Sequence, residues 1–222
     1  MKSRKEIKAI AKSAMKEQWG TSIVTILVFI AIVIAGALIS IPFSLRAPLL
    51  GMLVLYATLF FIDLPLAVNT YGVFIKIFNR ERASAGELFS NFPINYLRKV
   101  GGMAWMFLFT LLWSLLLLIP GIIKGLAYSM TPYILADCPN VNAKEALKLS
   151  MRMTHGHKLD LFILGLSFIG WFLLSMLTFG ILSIVFVNPY MYTTYSGFYV
   201  ELRDKALANG VISHAELGVC LQ

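Results

Sequence analysis

Apolar and charged positions alternate along this chain in blocks, not residue by residue. Charges gather in short clusters, and uncharged stretches of bilayer-crossing length lie between them. A spanning helix needs about 20 mostly apolar residues at 1.5 Å each to cross roughly 30 Å of hydrocarbon. Residues 21–45 carry no charge, and residues 47–75 carry only Asp63. Residues 100–123 are uncharged, Lys124 alone interrupts the run to position 136, and residues 161–200 are again uncharged. The pattern predicts spans at 22–41, 51–75, 100–120, 121–136, 161–178 and 181–200. Pro120-Gly121 is expected to separate the third from the fourth, and the last run, roughly twice one crossing, divides near Thr178-Phe179-Gly180. The expected fold is all-α: a polytopic membrane helical bundle of about six transmembrane helices with basic amphipathic cytoplasmic helices. It forms a single integral membrane domain over residues 1–222, with an amphipathic helix at 1–20 and a cytoplasmic tail at 201–222.

The charged segments share a layout. Ser3-Arg4-Lys5-Glu6 and Ser84-Ala85-Gly86-Glu87 fit the capping box, in which an N-cap oxygen and a Glu three residues later satisfy each other's backbone donors. Asn142-Ala143-Lys144-Glu145 is a near match with a competent Asn cap. Ile7, Ala11, Ala14, Met15 and Trp19 fall near one helical face, with Lys5, Lys12 and Lys16 elsewhere. Two readings stand side by side: three units, each a basic amphipathic helix before a transmembrane hairpin, or basic loops that start helices with Ser or Asn.

Composition and charge add orientation. Apolar side chains make up 59% of the 222 residues and charged ones 14%, with a mean hydropathy of +0.79. Soluble domains run near a quarter charged, so an ordinary cytosolic enzyme, a disordered chain and a secreted disulfide scaffold are excluded. Of nineteen Lys and Arg, all but Arg46 and Lys124 fall on one side of a six-span arrangement. Basic residues favour the cytoplasm, so both termini are expected there. Ala35-Gly36-Ala37 looks like a signal-peptidase site, but the apolar run continues past it, so the first span is expected to be retained. Cys138 and Cys220 are expected as free thiols on the reducing side. Positive-inside topology accounts for the net charge of +8, so anionic inner-leaflet lipid is the expected partner. Membrane-protein partners fit the same surface, and nucleic acid is not expected.

Few residues carry candidate chemistry. Asp63 is a carboxylate within a span, where a charge costs at least ~2.5 kcal/mol at the helix centre. It reads either as a proton or cation relay or as a structural group at a wet kink beside Leu64-Pro65. Lys124 is a candidate partner for it, and Asn188, before Pro189, a candidate unwound site. Gly121 and Gly125 permit close helix approach. Trp19, Tyr190, Tyr192, Tyr195 and Tyr199 suit an interfacial aromatic belt. His155-Gly156-His157 lacks the residues that complete a zinc spacing, and no metal or cofactor is expected. No nucleophile with its base, phosphate-cradling loop or paired acid and base is present, so no enzyme is expected. Lys5, Lys8, Lys12, Lys16, Lys144, Lys148, Arg152 and Lys158 are the candidate lipid-surface contacts, each contributing about 1 kcal/mol near an anionic leaflet.

A dense run of motifs follows in order: Leu112-Trp113-Ser114, Ile119-Pro120-Gly121-Ile122-Ile123-Lys124, Tyr128-Ser129-Met130, Ile134-Leu135-Ala136-Asp137, Glu145-Ala146-Leu147, Gly156-His157-Lys158, Leu166-Ser167-Phe168-Ile169-Gly170-Trp171 and Pro189-Tyr190. In these the chain resembles the bacterial integral membrane family catalogued as domain of unknown function 975. A looser likeness is to the membrane domain of some bacterial glycerophosphodiester phosphodiesterases, whose catalytic part has no counterpart here. The resemblance implies a multi-span protein of the bacterial cytoplasmic (inner) membrane and no established activity. The expectation is a non-enzymatic membrane scaffold or envelope-response protein that engages anionic lipid. The alternative is a small transporter or permease component with Asp63 on the translocation route.

Overall fold

A computed structural model describes residues 2–218, which form helices and turns with no strand among them. Helix α1 (Arg4–Glu17) opens with a closed capping box: the Glu6 amide donates to Ser3 Oγ at 3.2 Å, and the Ser3 amide to the Glu6 carboxylate at 2.7 Å. Helix α2 (Trp19–Arg46) reverses at the single residue Ala47 into α3 (Pro48–Thr58). A π turn at Leu59–Asp63 then leads into α4 (Leu64–Phe78). The expected second basic helix is only the single turn α5 (Glu87–Ser90). Here Ser84 Oγ accepts from Gly86 rather than from Glu87, so the box stays half-formed.

The second hairpin is α6 (Tyr96–Leu116), reversing at Leu117 into α7 (Leu118–Tyr128) and then α8 (Thr131–Asp137). The chain therefore turns three residues before Pro120, which sits in the first turn of α7 where a missing N–H is harmless. The expected span 121–136 is not one helix. It breaks at Ser129-Met130, and Ser150 bridges the break: its hydroxyl donates to the Ala127 carbonyl at 2.7 Å and accepts from the Met130 amide at 3.2 Å. Ser150 belongs to α9 (Ala143–Met153), which opens with the expected box at Asn142 and Glu145. Helix α10 (Lys158–Leu177) turns through Thr178, Phe179 and Gly180. The last two take left-handed backbone, φ 50° and 82°. A second π turn, Ser183–Val187, runs into α11 (Asn188–Ala208). The region expected as a tail is thus helical to Ala208 and adds α12 (His214–Leu217), whose Leu217 is buried.

Four helical runs are long and apolar enough to cross a membrane: Trp19–Arg46, Pro48–Phe78, Tyr96–Leu116 and Lys158–Leu177. The second helix of each hairpin is interrupted just ahead of a proline at its N1 or N2 position, namely Pro65 in α4, Pro132 in α8 and Pro189 in α11. The interruption thus recurs in all three hairpins, whereas a capped basic helix precedes only the first and the third, as α1 and α9.

The core sits at the end away from the hairpin turns. Ile7, Ala11 and Met15 of α1 pack there with residues of α4, α8, α9 and α11, including Val68, Ile134, Met153, Phe198 and Leu202. Tyrosines form its centre: Tyr71 lies 4.5 Å from Tyr133 and 5.4 Å from Tyr192, and Tyr133 lies 5.7 Å from Tyr199, centroid to centroid. The expected aromatic belt is therefore largely core, because α4, α8 and α11 turn their tyrosines toward one another. The hairpin turns are instead exposed and apolar, with Leu116, Leu118 and Phe179 at 72%, 73% and 97% exposure. Lipid tails are as apolar as these side chains, so burying them against protein would gain little.

Candidate functional site

Polar side chains converge where α4, α6, α8 and α11 meet at the base. Asp137, at the end of α8, is 2% exposed. Its Oδ2 accepts from the Tyr199 hydroxyl at 2.7 Å and from Arg203 Nη1 at 2.7 Å. Burial works against the Arg203 charge, but Asp137, Tyr199 and Asp204 together outweigh it and hold the guanidinium pKa above its ordinary value. Arg98, in the first turn of α6, donates to three main-chain carbonyls, Leu135, Cys138 and Val141, at 2.5–2.9 Å. These oxygens lie in and beyond the last turn of α8, where a cation is favoured. Lys99 donates to Asn69 Oδ1 at 2.6 Å and to the Asn91 carbonyl at 2.5 Å, while Asn69 donates onward to the Leu88 carbonyl at 2.7 Å. Lys76 pairs with Glu87 at 2.8 Å. A cavity of about 170 Å³ opens among these groups.

The structure does not join the intramembrane candidates. Asp63 ends the first π turn, 8% exposed, and its Oδ1 has no hydrogen-bond partner. Pro65 has no N–H to bond the Phe61 carbonyl four residues back, and Tyr96 Oη donates to that carbonyl at 2.6 Å instead. Asp63 is six residues, ~9 Å of helix, from Asn69, closer to the polar base than its distance from Lys76 implies. Lys124 stands over the Trp113 ring at 4.8 Å. Asn188 begins α11, half-buried. Among the described residues no hydrogen bond or ion pair links these three. The Gly121 and Gly125 pair serves the chain's own hairpin, lying against Ser114 and Thr110 of α6.

The basic helices are docked. Lys5, Lys12, Lys16, Lys144 and Lys148 are exposed, with Lys144 also 5.0 Å from the Trp105 ring. Lys8 instead points into the bundle, donating to Ser167 Oγ at 2.6 Å and lying 4.2 Å from the Phe168 centroid. That burial lowers its pKa. Arg152 pairs with Glu216, and Lys158 is half-buried. His155 and His157 do not converge: Lys205 donates to His157 Nε2 at 3.0 Å, and His157 Nδ1 lies 3.3 Å from Asp160. Among the described residues no group of three or more His, Cys, Asp or Glu side chains has metal-holding geometry. Cys138 is disulfide-bonded, which corrects the expectation of a free thiol there; Cys220 lies outside the described residues.

Sequence reasoning counted Lys76, Arg98 and Lys99 only as orienting charges. One signal was available: Arg98-Lys99 falls in the first turn of a helix, where a cation opposes the helix dipole. The pairing of Asp137 with Arg203 had no local signal.

Fold and base together define a helical, membrane-embedded protein with a polar cluster at one end of an apolar bundle. The family model described as Protein of unknown function (DUF975) matches residues 95–206, just over half of the chain. The chain belongs to that family. The match takes in Arg98, Lys99, Asp137, Tyr199 and Arg203 and leaves Asp63, Asn69 and Lys76 outside it. It does not carry the looser phosphodiesterase likeness. No curated protein and no solved structure matches the chain.

Proposed function

We propose that the protein is a non-enzymatic integral protein of the bacterial cytoplasmic membrane, crossing six times with both termini in the cytoplasm. It binds anionic inner-leaflet lipid through its basic helices and so scaffolds membrane partners or responds to envelope conditions. The observation that carries this reading is the docking of α1 and α9. Their apolar faces are packed into the core, and Lys5, Lys12, Lys16, Lys144 and Lys148 stay exposed. Contact therefore comes from charge alone, on helices already ordered, so little conformational entropy is lost on binding. The test purifies the full chain from membranes of mixed phosphatidylcholine and phosphatidylglycerol and weighs the retained lipid. Replacing the five lysines with Gln should reduce retained phosphatidylglycerol and flatten its salt dependence. Equal retention at every salt concentration would remove the reading.

A second reading is a small transporter or permease component with Asp63 on its route. It is supported by the orphaned Asp63 oxygen and by the two π turns ahead of Pro65 and Pro189. Unchanged uptake or efflux by Asp63→Asn, for any substrate the wild type moves, would take Asp63 out of that route.

A further inference from the structure

Lys99 is a buried cation with no anion paired to it among the described residues. It is 5% exposed, and both acceptors of its ammonium, Asn69 Oδ1 and the Asn91 carbonyl, are neutral. An ammonium has three donors, so one N–H and the net charge remain uncompensated. Among the described residues no ion pair reaches Lys99 or its neighbour Arg98. Buried charges are ordinarily paired, because an isolated one forfeits its hydration without return.

The surroundings add positive potential. Arg98 is adjacent, and its Nε is buried without a partner. Both residues lie in the first turn of a 21-residue helix whose N-cap, Asn95, makes no side-chain capping bond. That helix end carries the positive pole of the dipole and unpaired amides, an arrangement that favours an anion. Lys99, Arg98 and Asn95 all line the cavity at the base. Of the carboxylates on the same wall, Glu87 is paired with Lys76 and Asp137, through Oδ2, with Arg203, while Glu81 meets the neutral Asn79 amide at 3.3 Å.

We propose that this cavity binds a phosphate group, held by Lys99 and Arg98 at the start of α6. Its ~170 Å³ is room for several waters, and so for a phosphate. Ile94, on the cavity wall, and Leu97 beside it are exposed apolar side chains. They offer an apolar rim to a ligand that carries chains. The chemistry is the same for a phospholipid headgroup and for free phosphate, and the site does not depend on the lysines of α1 and α9.

The test uses the full chain in neutral detergent with two probes, inorganic phosphate and short-chain phosphatidic acid, and diacylglycerol as the uncharged control. Binding is followed calorimetrically in the wild type, Lys99→Gln, Lys99→Arg, Asn69→Asp and Arg46→Gln. Wild type and Arg46→Gln should bind alike. Lys99→Gln should weaken binding on the order of tenfold or more, about 1.4 kcal/mol, and Lys99→Arg should retain most of it. Asn69→Asp places a carboxylate against Lys99, at the cost of the amide's bond to the Leu88 carbonyl, so it should abolish binding. That variant keeps the test decisive even if Lys99→Gln fails to fold. Binding of phosphatidic acid alone assigns the site to a lipid headgroup, and binding of inorganic phosphate assigns it to a soluble anion as well. Binding of neither probe, or unchanged binding by Asn69→Asp, overturns the proposal.

Discussion

At the residue scale, burial decides which ion pairs matter. The Asp137 side chain is 1% exposed and that of Arg203 18%, at 2.7 Å. Removing one partner of a buried pair costs about 3–5 kcal/mol, because the other charge is left uncompensated. Asp137→Asn should fall at the lower end, since Arg203 keeps some access to water and Tyr199 keeps an acceptor. A loss of about 3 kcal/mol, read as a melting-temperature drop on the order of 10 °C, is expected in detergent. The pair between Arg4 and Asp160 is 39% and 43% exposed, and such surface pairs contribute about 0–1 kcal/mol. Asp160→Asn should therefore barely move the melting temperature. Either carboxylate looks the same in the sequence, and 66 residues separate Asp137 from its arginine. Asp63, by contrast, stood out in the sequence as a charge inside an apolar run. What could not be read there was that Tyr96, from another helix, covers the carbonyl freed by Pro65.

At the element scale, the first two hairpins solve one problem identically. A one-residue reversal brings two helix backbones together, and each has a serine three residues before the turn and a glycine four after it. A Cβ on Gly51 would sit 2.6 Å from Ser44 Cα, and one on Gly121 2.7 Å from Ser114 Cα. Backbone cannot yield there as a flexible side chain would, so Gly51→Ala and Gly121→Ala should each cost about 1–3 kcal/mol. Nothing lies within 4 Å of a Cβ on Gly170, so Gly170→Ala in α10 should stabilise by up to about 1 kcal/mol. Thermal unfolding of the three variants side by side checks the contrast.

The capped helices carry a pH dependence. Glu6 is held below its ordinary value of 4.5 by hydrogen bonds from Ser3. Glu216 is held below 4.5 chiefly by Arg152 and then by the Ser213 amide. A depressed carboxyl stabilises fully above its unfolded pKa and loses that contribution as pH falls through its folded one. Amide-exchange protection, taken relative to the intrinsic rate at each pH, should therefore hold in α1 and α12 down to about pH 4.5 and fall below it, ahead of the core tyrosine region. A uniform loss of protection along the chain would contradict this. Both caps follow the Ser-x-x-Glu pattern, so the start of α1 was legible in sequence. The extent of α5 was not, because Gly86 and not Glu87 bonds the Ser84 hydroxyl.

At the scale of the whole molecule, the side chains are arranged for two solvents. The packed core lies at the base, while the hairpin turns carry exposed leucines and Phe179 with no charge except Arg46. Removing apolar surface from water contributes about 25 cal/mol per Å², and that gain exists only where water would otherwise reach. In the proposed topology, which puts both termini in the cytoplasm, Arg46→Cys in a background of Cys138→Ser and Cys220→Ser should react with an impermeant thiol reagent on intact cells. Lys12→Cys should react only after lysis. The opposite pattern would invert the proposed topology.

The sequence by itself determined the all-helical membrane class, four spans to within a few residues, the caps of α1 and α9 and membership of the family. These depend on local quantities: the length of an apolar run, the spacing of a cap, the order of a motif. The break of the fourth predicted span, the inward turn of the tyrosines and the convergence of Asn69, Lys99, Arg98 and Asp137 were decided only in three dimensions. Each depends on which helix stands next to which: the Ser150 hydroxyl makes the break at Ser129-Met130 tolerable, and Asn69 makes Lys99 a cavity lysine. Side chains that meet across separate helices leave no periodicity in the chain, and so their partnership appears only once the bundle has formed.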